Sequence, residues 1–193
     1  MHVAALDKTL GHVWLGAFLE ENTLGESRVI EAHNSAVAAI AFNQVSSLLA
    51  TCSEKGTILR IFKVADGSML KELRRGSDQV EIRCLAFALD SSQLACSSSK
   101  GTVHVFAVPL GEDSSSTHVS SSSVGVSIEE EKKSTHEGHA EQKAQNTKSL
   151  FSMFSAVLPT YFSSEWSFAQ FRIPDAHGKC ALVGNNTLLG MCP

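Results

Sequence analysis

A chain of 193 residues, 43% hydrophobic and 19% charged, is long enough for one ordinary domain with a substantial core. Its formal net charge of -4 excludes a global basic field that would draw it onto nucleic acid or a membrane, so any anion binding must be local. Cys52, Cys84, Cys96, Cys180 and Cys192 are odd in number and lack Cys-x-x-Cys spacing, which argues against a disulfide framework or a zinc site and for a reducing compartment.

Residues 1–30 form a poorly defined N-terminal segment, in which Leu10 to Leu19 fits a strand or a short helix and Glu20 to Thr23 a turn. From His33 the pattern sharpens. Strand-like runs cover Ala36 to Phe42, Leu48 to Cys52, Thr57 to Val64 and Met69 to Arg75, with turns at Asn43–Ser47, Ser53–Gly56 and Ala65–Ser68. The same order recurs in Ile82 to Phe87, Gln93 to Ser97 and Thr102 to Val108. Ser53-x-Lys55-Gly56-Thr57 aligns with Ser98-x-Lys100-Gly101-Thr102 at an offset of about 45 residues, the length of a four-stranded propeller blade. Cys52 and Cys96 fall inside apolar strands, where a thiol behaves as a small buried hydrophobe.

Gly111 to about Lys148 is rich in Ser, Glu, Lys and Gln, and cannot bury enough apolar surface to offset the entropy of ordering; it is expected to be disordered. Just beyond, Leu150, Phe151, Phe154, Val157 and Leu158 share one helical face until Pro159 stops the helix. Ser164 to Ile173 regains strand character and can supply the missing fourth strand of the second repeat. Lys179 to Val183 then opens a third.

Leu73-Arg74-Arg75-Gly76 closes the first repeat on what reads as an outer-edge strand. Successive side chains of an extended run point to opposite faces, so the two arginines would serve two separate pockets rather than grip one anion. Guanidinium suits phosphate because it stays charged and donates in a planar fork. The bland reading of an Arg-Arg pair is a solvated edge.

The paired repeats, the Leu-Arg-Arg-Gly run, Lys100-Gly101-Thr102-Val103-His104-Val105-Phe106 and the stretch Val157-Leu158-Pro159-x-Tyr161-Phe162-Ser163-Ser164-Glu165-Trp166-Ser167 together resemble the PROPPIN family, the WIPI-type WD40-like propellers that bind phosphoinositides in autophagy. The last stretch is most similar to plant and algal members. The resemblance implies an all-β fold, a partial WD-repeat-like propeller of two to three four-stranded blades out of seven. It divides the chain into family blade 5 at 31–76, blade 6 at 77–173 with a membrane-facing loop at 109–163, and the start of a truncated next blade at 174–193. It also implies a chain truncated at both ends, whose two to three blades leave the ring unclosed and sheet edges uncovered.

By the same resemblance, Arg74 with His33, Ser53 and Thr57 binds one phosphoinositide headgroup, and Arg75 with Ser98, Ser99, Thr102 and His104 binds another. The lipids implied are phosphatidylinositol 3-phosphate and the 3,5-bisphosphate. Leu150, Phe151, Phe154, Val157 and Leu158 become a membrane-inserting face, which adds to the headgroup contacts as a second attachment signal. The implied partners are those lipids and autophagy proteins, with no nucleic acid and no cofactor. The implied place is the cytoplasm and the surface of preautophagosomal, endosomal or vacuolar membranes.

Two other classes compete. A WD40-type interaction scaffold without lipid binding, or a truncated non-functional isoform, would have the same fold. An enzyme is disfavoured, because His12, His33, His104 and His177 are scattered and no His-Glu-x-x-His, Gly-x-Ser-x-Gly or Gly-x-x-x-x-Gly-Lys run occurs.

Overall fold

The computed structural model describes residues 1–19, 23–108, 146, 164–173, 179–183 and 187–191. All of their regular structure is β. The first sheet is the meander β1 (His2–Leu6), β2 (His12–Phe18) and β3 (Leu24–Glu31). The second runs β4 (Val37–Phe42), β5 (Leu48–Ser53), β6 (Ile58–Lys63) and β7 (Met69–Arg74), and the third β8 (Ile82–Phe87), β9 (Gln93–Ser98) and β10 (Thr102–Ala107). Two short strands follow, β11 (Glu165–Trp166) and β12 (Ala169–Arg172), and a hairpin of β13 (Lys179–Val183) and β14 (Thr187–Met191) forms a fourth sheet. The architecture is a partial β-propeller.

The sheets stack face to face, and strand alternation explains how one strand serves two interfaces. In β5, Leu48, Ala50 and Cys52 join a core shared with Leu94, Cys96 and Phe106 of the third sheet. Leu49, between them, points the other way into a core with Val13, Leu15 and Ile30 of the first. All six residues of β5, and all six of β9, are buried. Covered on both faces, these strands read as unbroken small and apolar runs rather than as alternating ones. Burial also pushes the Cys52 and Cys96 thiols up to about 12, which makes them packing groups rather than nucleophiles.

The 45-residue period is visible in the backbone. Gly56 and Gly101 take φ values of 64° and 70° in matched hairpin turns, and Ser46 and Ser91 take 55° and 64° in the matched turns at the other end. Serine rarely adopts this left-handed region, so something must hold it there. Buried Asn43 accepts the N–H groups of Ser47 and Leu48 on Oδ1, and donates through Nδ2 to Ser47 Oγ and, 2.9 Å away, to Ser91 Oγ. One amide thus ties the two repeat turns together across the sheet interface.

Two features differ from the sequence reading. Residues 2–31, poorly defined in sequence, form a three-stranded antiparallel sheet, in which Leu10 to Leu19, open between strand and short helix, contributes a strand, with Ala5 paired to Trp14 and Trp14 to Val29. Gly11 (φ 78°) lies 45 residues before Gly56 and occupies the equivalent turn. The recurrence escapes sequence inspection because Thr9-Leu10-Gly11-His12 lacks the serine and lysine of the later copies. The second difference lies in Ser164–Ile173, which is not one strand. Its first half, β11, pairs in parallel with β7, Glu165 opposite Leu73 and Trp166 opposite Arg74, whereas β12 pairs with β10 as the fourth strand of the third sheet. The strand that ends at Arg74 is therefore not an outer edge: β6 flanks it on one side and β11 on the other.

Glycines 56 and 76 provide a matched test. A Cβ on Gly56 would stand 1.9 Å from the Val80 carbonyl oxygen, whereas one on Gly76 meets nothing within 4 Å. Gly56→Ala is expected to cost at least about 2 kcal/mol through left-handed strain and displacement of that carbonyl, and Gly76→Ala less than about 1. Chemical denaturation of the two variants side by side checks this.

Candidate functional site

Arg74 and Arg75 are both buried, at 4% and 7% exposure. A buried guanidinium is costly unless its charge and its N–H donors find partners, so the surroundings of each decide what it can do.

Arg74 lies on the face of the second sheet that looks toward the first. Register fixes this: Arg74 is opposite Ile58, Glu72 is opposite Arg60, and Arg60 is opposite Thr51, so Glu72 and Arg74 share a face with Arg60, Thr51 and Ser53. His33, which follows β3, closes the group by a 2.9 Å hydrogen bond between Nε2 and Thr51 Oγ1. Arg60 donates through Nε and Nη2 to Glu72 Oε2 at 3.0 and 2.9 Å, and through Nη1 to the Ala32 carbonyl at 2.6 Å. The charge of Arg60 is thereby largely spent on Glu72.

Arg75 is held differently. Its backbone N–H continues the ladder to the Thr57 carbonyl, its Nε donates 2.7 Å to the Gly56 carbonyl, and its Nη2 donates to the Asp78 carbonyl. Carbonyl partners fix the fork without cancelling its charge. That charge reaches the third sheet, where it helps hold the His104 imidazole well below its usual range. Cys96, His104's partner across the ladder, lies in the same inter-sheet core. Ser98 and Thr102 meet there through their hydroxyls at 2.8 Å, beside the Gly101 turn. The Asp78 carboxylate, nearby, is lowered chiefly by its ion pair with Lys100 at 3.1 Å.

The candidate residues therefore fall into two groups on opposite faces of the second sheet. His33, Ser53 and Arg74 share one side, with the Thr57 backbone at the turn between; Arg75, Ser98, Thr102 and His104 share the other. Ser99 stands at the edge of the second group, where its N–H bonds the Glu81 carbonyl at 2.9 Å. Leu150, Phe151, Phe154, Val157 and Leu158 lie outside the described residues.

Sequence inspection passes over Arg60, Glu72, Thr51, Ser164 and Ser167. Ser164 Oγ donates to Glu72 Oε1 at 2.7 Å, and Ser167 Oγ lies 3.1 Å from His104 Nδ1. The Arg60–Glu72 pair had a signal, opposite charges at facing positions of consecutive strands. The serines had none, because their contacts cross 92 and 63 residues of chain. A cleft of about 370 Å³ lined by Glu26, Arg28, Ile30, Asp66 and Gly67 sits at the other end of the second sheet, away from both groups. Among the described residues no cluster of three or more potential metal ligands occurs.

His33 is pushed down to about 4, first by burial and then by the Arg60 charge, and His104 to about 4 by burial and the Arg75 charge. Both are neutral at pH 7 and present one N–H donor and one acceptor each. Because the folded values lie below the unfolded value near 6.5, the unfolded chain binds these protons first, and stability must fall as pH drops from about 6.5 toward 4. Melts between pH 7.5 and 4.5 should show this decline, and His33→Gln with His104→Gln should flatten it.

The PROPPIN family profile matches residues 9–127. Autophagy-related protein 18 of Dictyostelium discoideum is 34% identical over 85% of this chain and 42% of its own length. Autophagy-related protein 18e of Arabidopsis thaliana is 36% identical over 76% of this chain and 32% of its own length. Among solved structures, Hsv2p of Kluyveromyces lactis superposes with a TM-score of 0.61 at 25% identity, covering 95% of this chain and 46% of that one. The chain thus spans less than half the length of these relatives.

Proposed function

Because the chain belongs to the PROPPIN family, we propose that it is a phosphoinositide-binding peripheral membrane effector in autophagy, with Arg74 and Arg75 each receiving a separate 3-phosphorylated inositol headgroup. The observation that carries this reading is the placement of two buried guanidinium groups on opposite faces of one strand end, each among neutral histidine and hydroxyl donors. Charge supplies attraction, while hydroxyls and imidazole N–H groups, which donate at chosen positions, supply selectivity.

In this assignment residues 31–76 are the family's blade 5, residues 77–173 its blade 6, and residues 174–193 part of the next; the first sheet stands in the place of the preceding blade. Ser53 and Thr57 belong with Arg74 and His33, and Ser98, Ser99, Thr102 and His104 with Arg75. Leu150, Phe151, Phe154, Val157 and Leu158 supply the apolar contact with the bilayer, since a single weak signal does not give stable attachment. The lipids are phosphatidylinositol 3-phosphate and the 3,5-bisphosphate, the partners autophagy proteins, and the site of action the cytoplasmic surface of autophagy-related membranes.

Flotation with vesicles carrying phosphatidylinositol 3-phosphate tests the assignment. Arg74→Ala and Arg75→Ala should each weaken binding about ten- to a hundredfold, the worth of charge-assisted hydrogen bonds, and the double variant should not float. Unchanged flotation of a folded double variant would replace the lipid reading with that of a protein-interaction scaffold.

A further inference from the structure

The two candidate residue groups lie on opposite faces of a sheet, yet one short stretch of chain touches both. Ser164–Ser167 runs beside β7 as the parallel strand β11 and leads into β12. Ser164 is 2% exposed and donates to the Glu72 carboxylate, whose other oxygen holds Arg60 beside His33. Trp166 pairs with Arg74. Ser167, next in the chain, bonds the ring of His104 on the other side. Two further contacts pin the strap. Lys71 and Glu165 form a 2.6 Å ion pair, and Asn146 bridges Glu165 to the backbone N–H and carbonyl of Ala107.

We propose that the strap Ser164–Ser167 is a positioning element common to both phosphate sites, with Ser167 setting the tautomer of His104 and Ser164 anchoring the Glu72–Arg60 pair against His33. The inference deepens the phosphoinositide reading and rests on it. The chemistry is specific at His104. A neutral imidazole carries its proton on one nitrogen, and the partner of the other nitrogen selects which. A serine hydroxyl can donate or accept, and Ser167 is assigned as the donor to Nδ1, which leaves the proton on Nε2, because a phosphate oxygen, which only accepts, needs that Nε2–H. Without Ser167 the ring divides between tautomers and donates only part of the time. At the first site the logic is positional. Glu72 takes both Arg60 donors on one oxygen because Ser164 occupies the other, and this orientation keeps Arg60 between Glu72 and the Ala32 carbonyl, next to His33.

The experiment isolates each site in the 193-residue chain and uses the soluble headgroup inositol 1,3-bisphosphate as probe. In an Arg74→Ala background, Ser167→Ala should weaken calorimetric binding about three- to tenfold, and Ser167→Thr should restore it. In an Arg75→Ala background, Ser164→Ala should do the same, and each alanine should affect its own site at least threefold more than the other. Nitrogen-15 NMR of the His104 ring should show a single Nε2–H tautomer that becomes a mixture in Ser167→Ala. Equal losses at both sites that follow a lowered melting temperature, or an unchanged tautomer and unchanged affinities, overturn the proposal. If the unsubstituted chain binds no headgroup, the phosphoinositide reading falls and takes the binding role of the strap with it; an unchanged His104 tautomer in Ser167→Ala, in a chain that does bind, sinks the positioning role alone.

Discussion

The structure depends on β-strands that are buried on both faces. Because successive side chains of β5 and β6 point in opposite directions, each of these two strands contributes to two cores, one against the first sheet and one against the third, while β7 adds Leu73 to the latter. Leu59, Ile61 and Leu73 have no accessible surface, and burial of such side chains is worth roughly 1.5–3 kcal/mol each. The same alternation that divides the hydrophobic residues between two cores divides Arg74 from Arg75. Packing and site geometry have one origin, and no extra element is needed to keep the two guanidinium groups apart.

The arginines of the second sheet are treated in contrasting ways. Arg60 is matched with Glu72 and serves the architecture, orienting the chain at Ala32 and His33. Arg75 is held by carbonyl groups, which satisfy N–H donors but leave the positive charge in place. Its field is felt by His104, so an arriving phosphate would meet a cation already oriented and little hydrated. The neutral histidines avoid like-charge repulsion with their arginines while still offering hydrogen bonds.

The sequence carried the repeat and the splayed arginine pair openly, because both depend on local spacing: a 45-residue recurrence of Ser-x-Lys-Gly-Thr and the two-residue period of a strand. The strand limits follow the same local signals, and Ile82–Phe87 and Lys179–Val183 are the observed ends of β8 and β13. What stayed hidden is non-local. The first sheet is announced only by Gly11, a single residue whose flanks have drifted from the motif. The change of allegiance between Trp166 and Ala169 leaves no trace in composition, since SEWSFAQFRI has the same character throughout while its halves pair with different sheets. Ser164 and Ser167 look like filler until the fold brings Glu72 and His104 to them.

Asn146 and the strap have a consequence for how this chain can vary. The connection between Val108 and Ser164 meets the sheets at two described places, β11 on β7 at its far end and Asn146 on Ala107. Changing the number of residues between two fixed points is cheap in general, about 0.6 kcal/mol of closure entropy per doubling. Stretches on either side of the Asn146 mooring can therefore grow, shrink or exchange their residues over generations at small expense to the sheets. The sheets and the connection are thus held by separate contacts, so a change in what the connection presents leaves the register of the strands untouched.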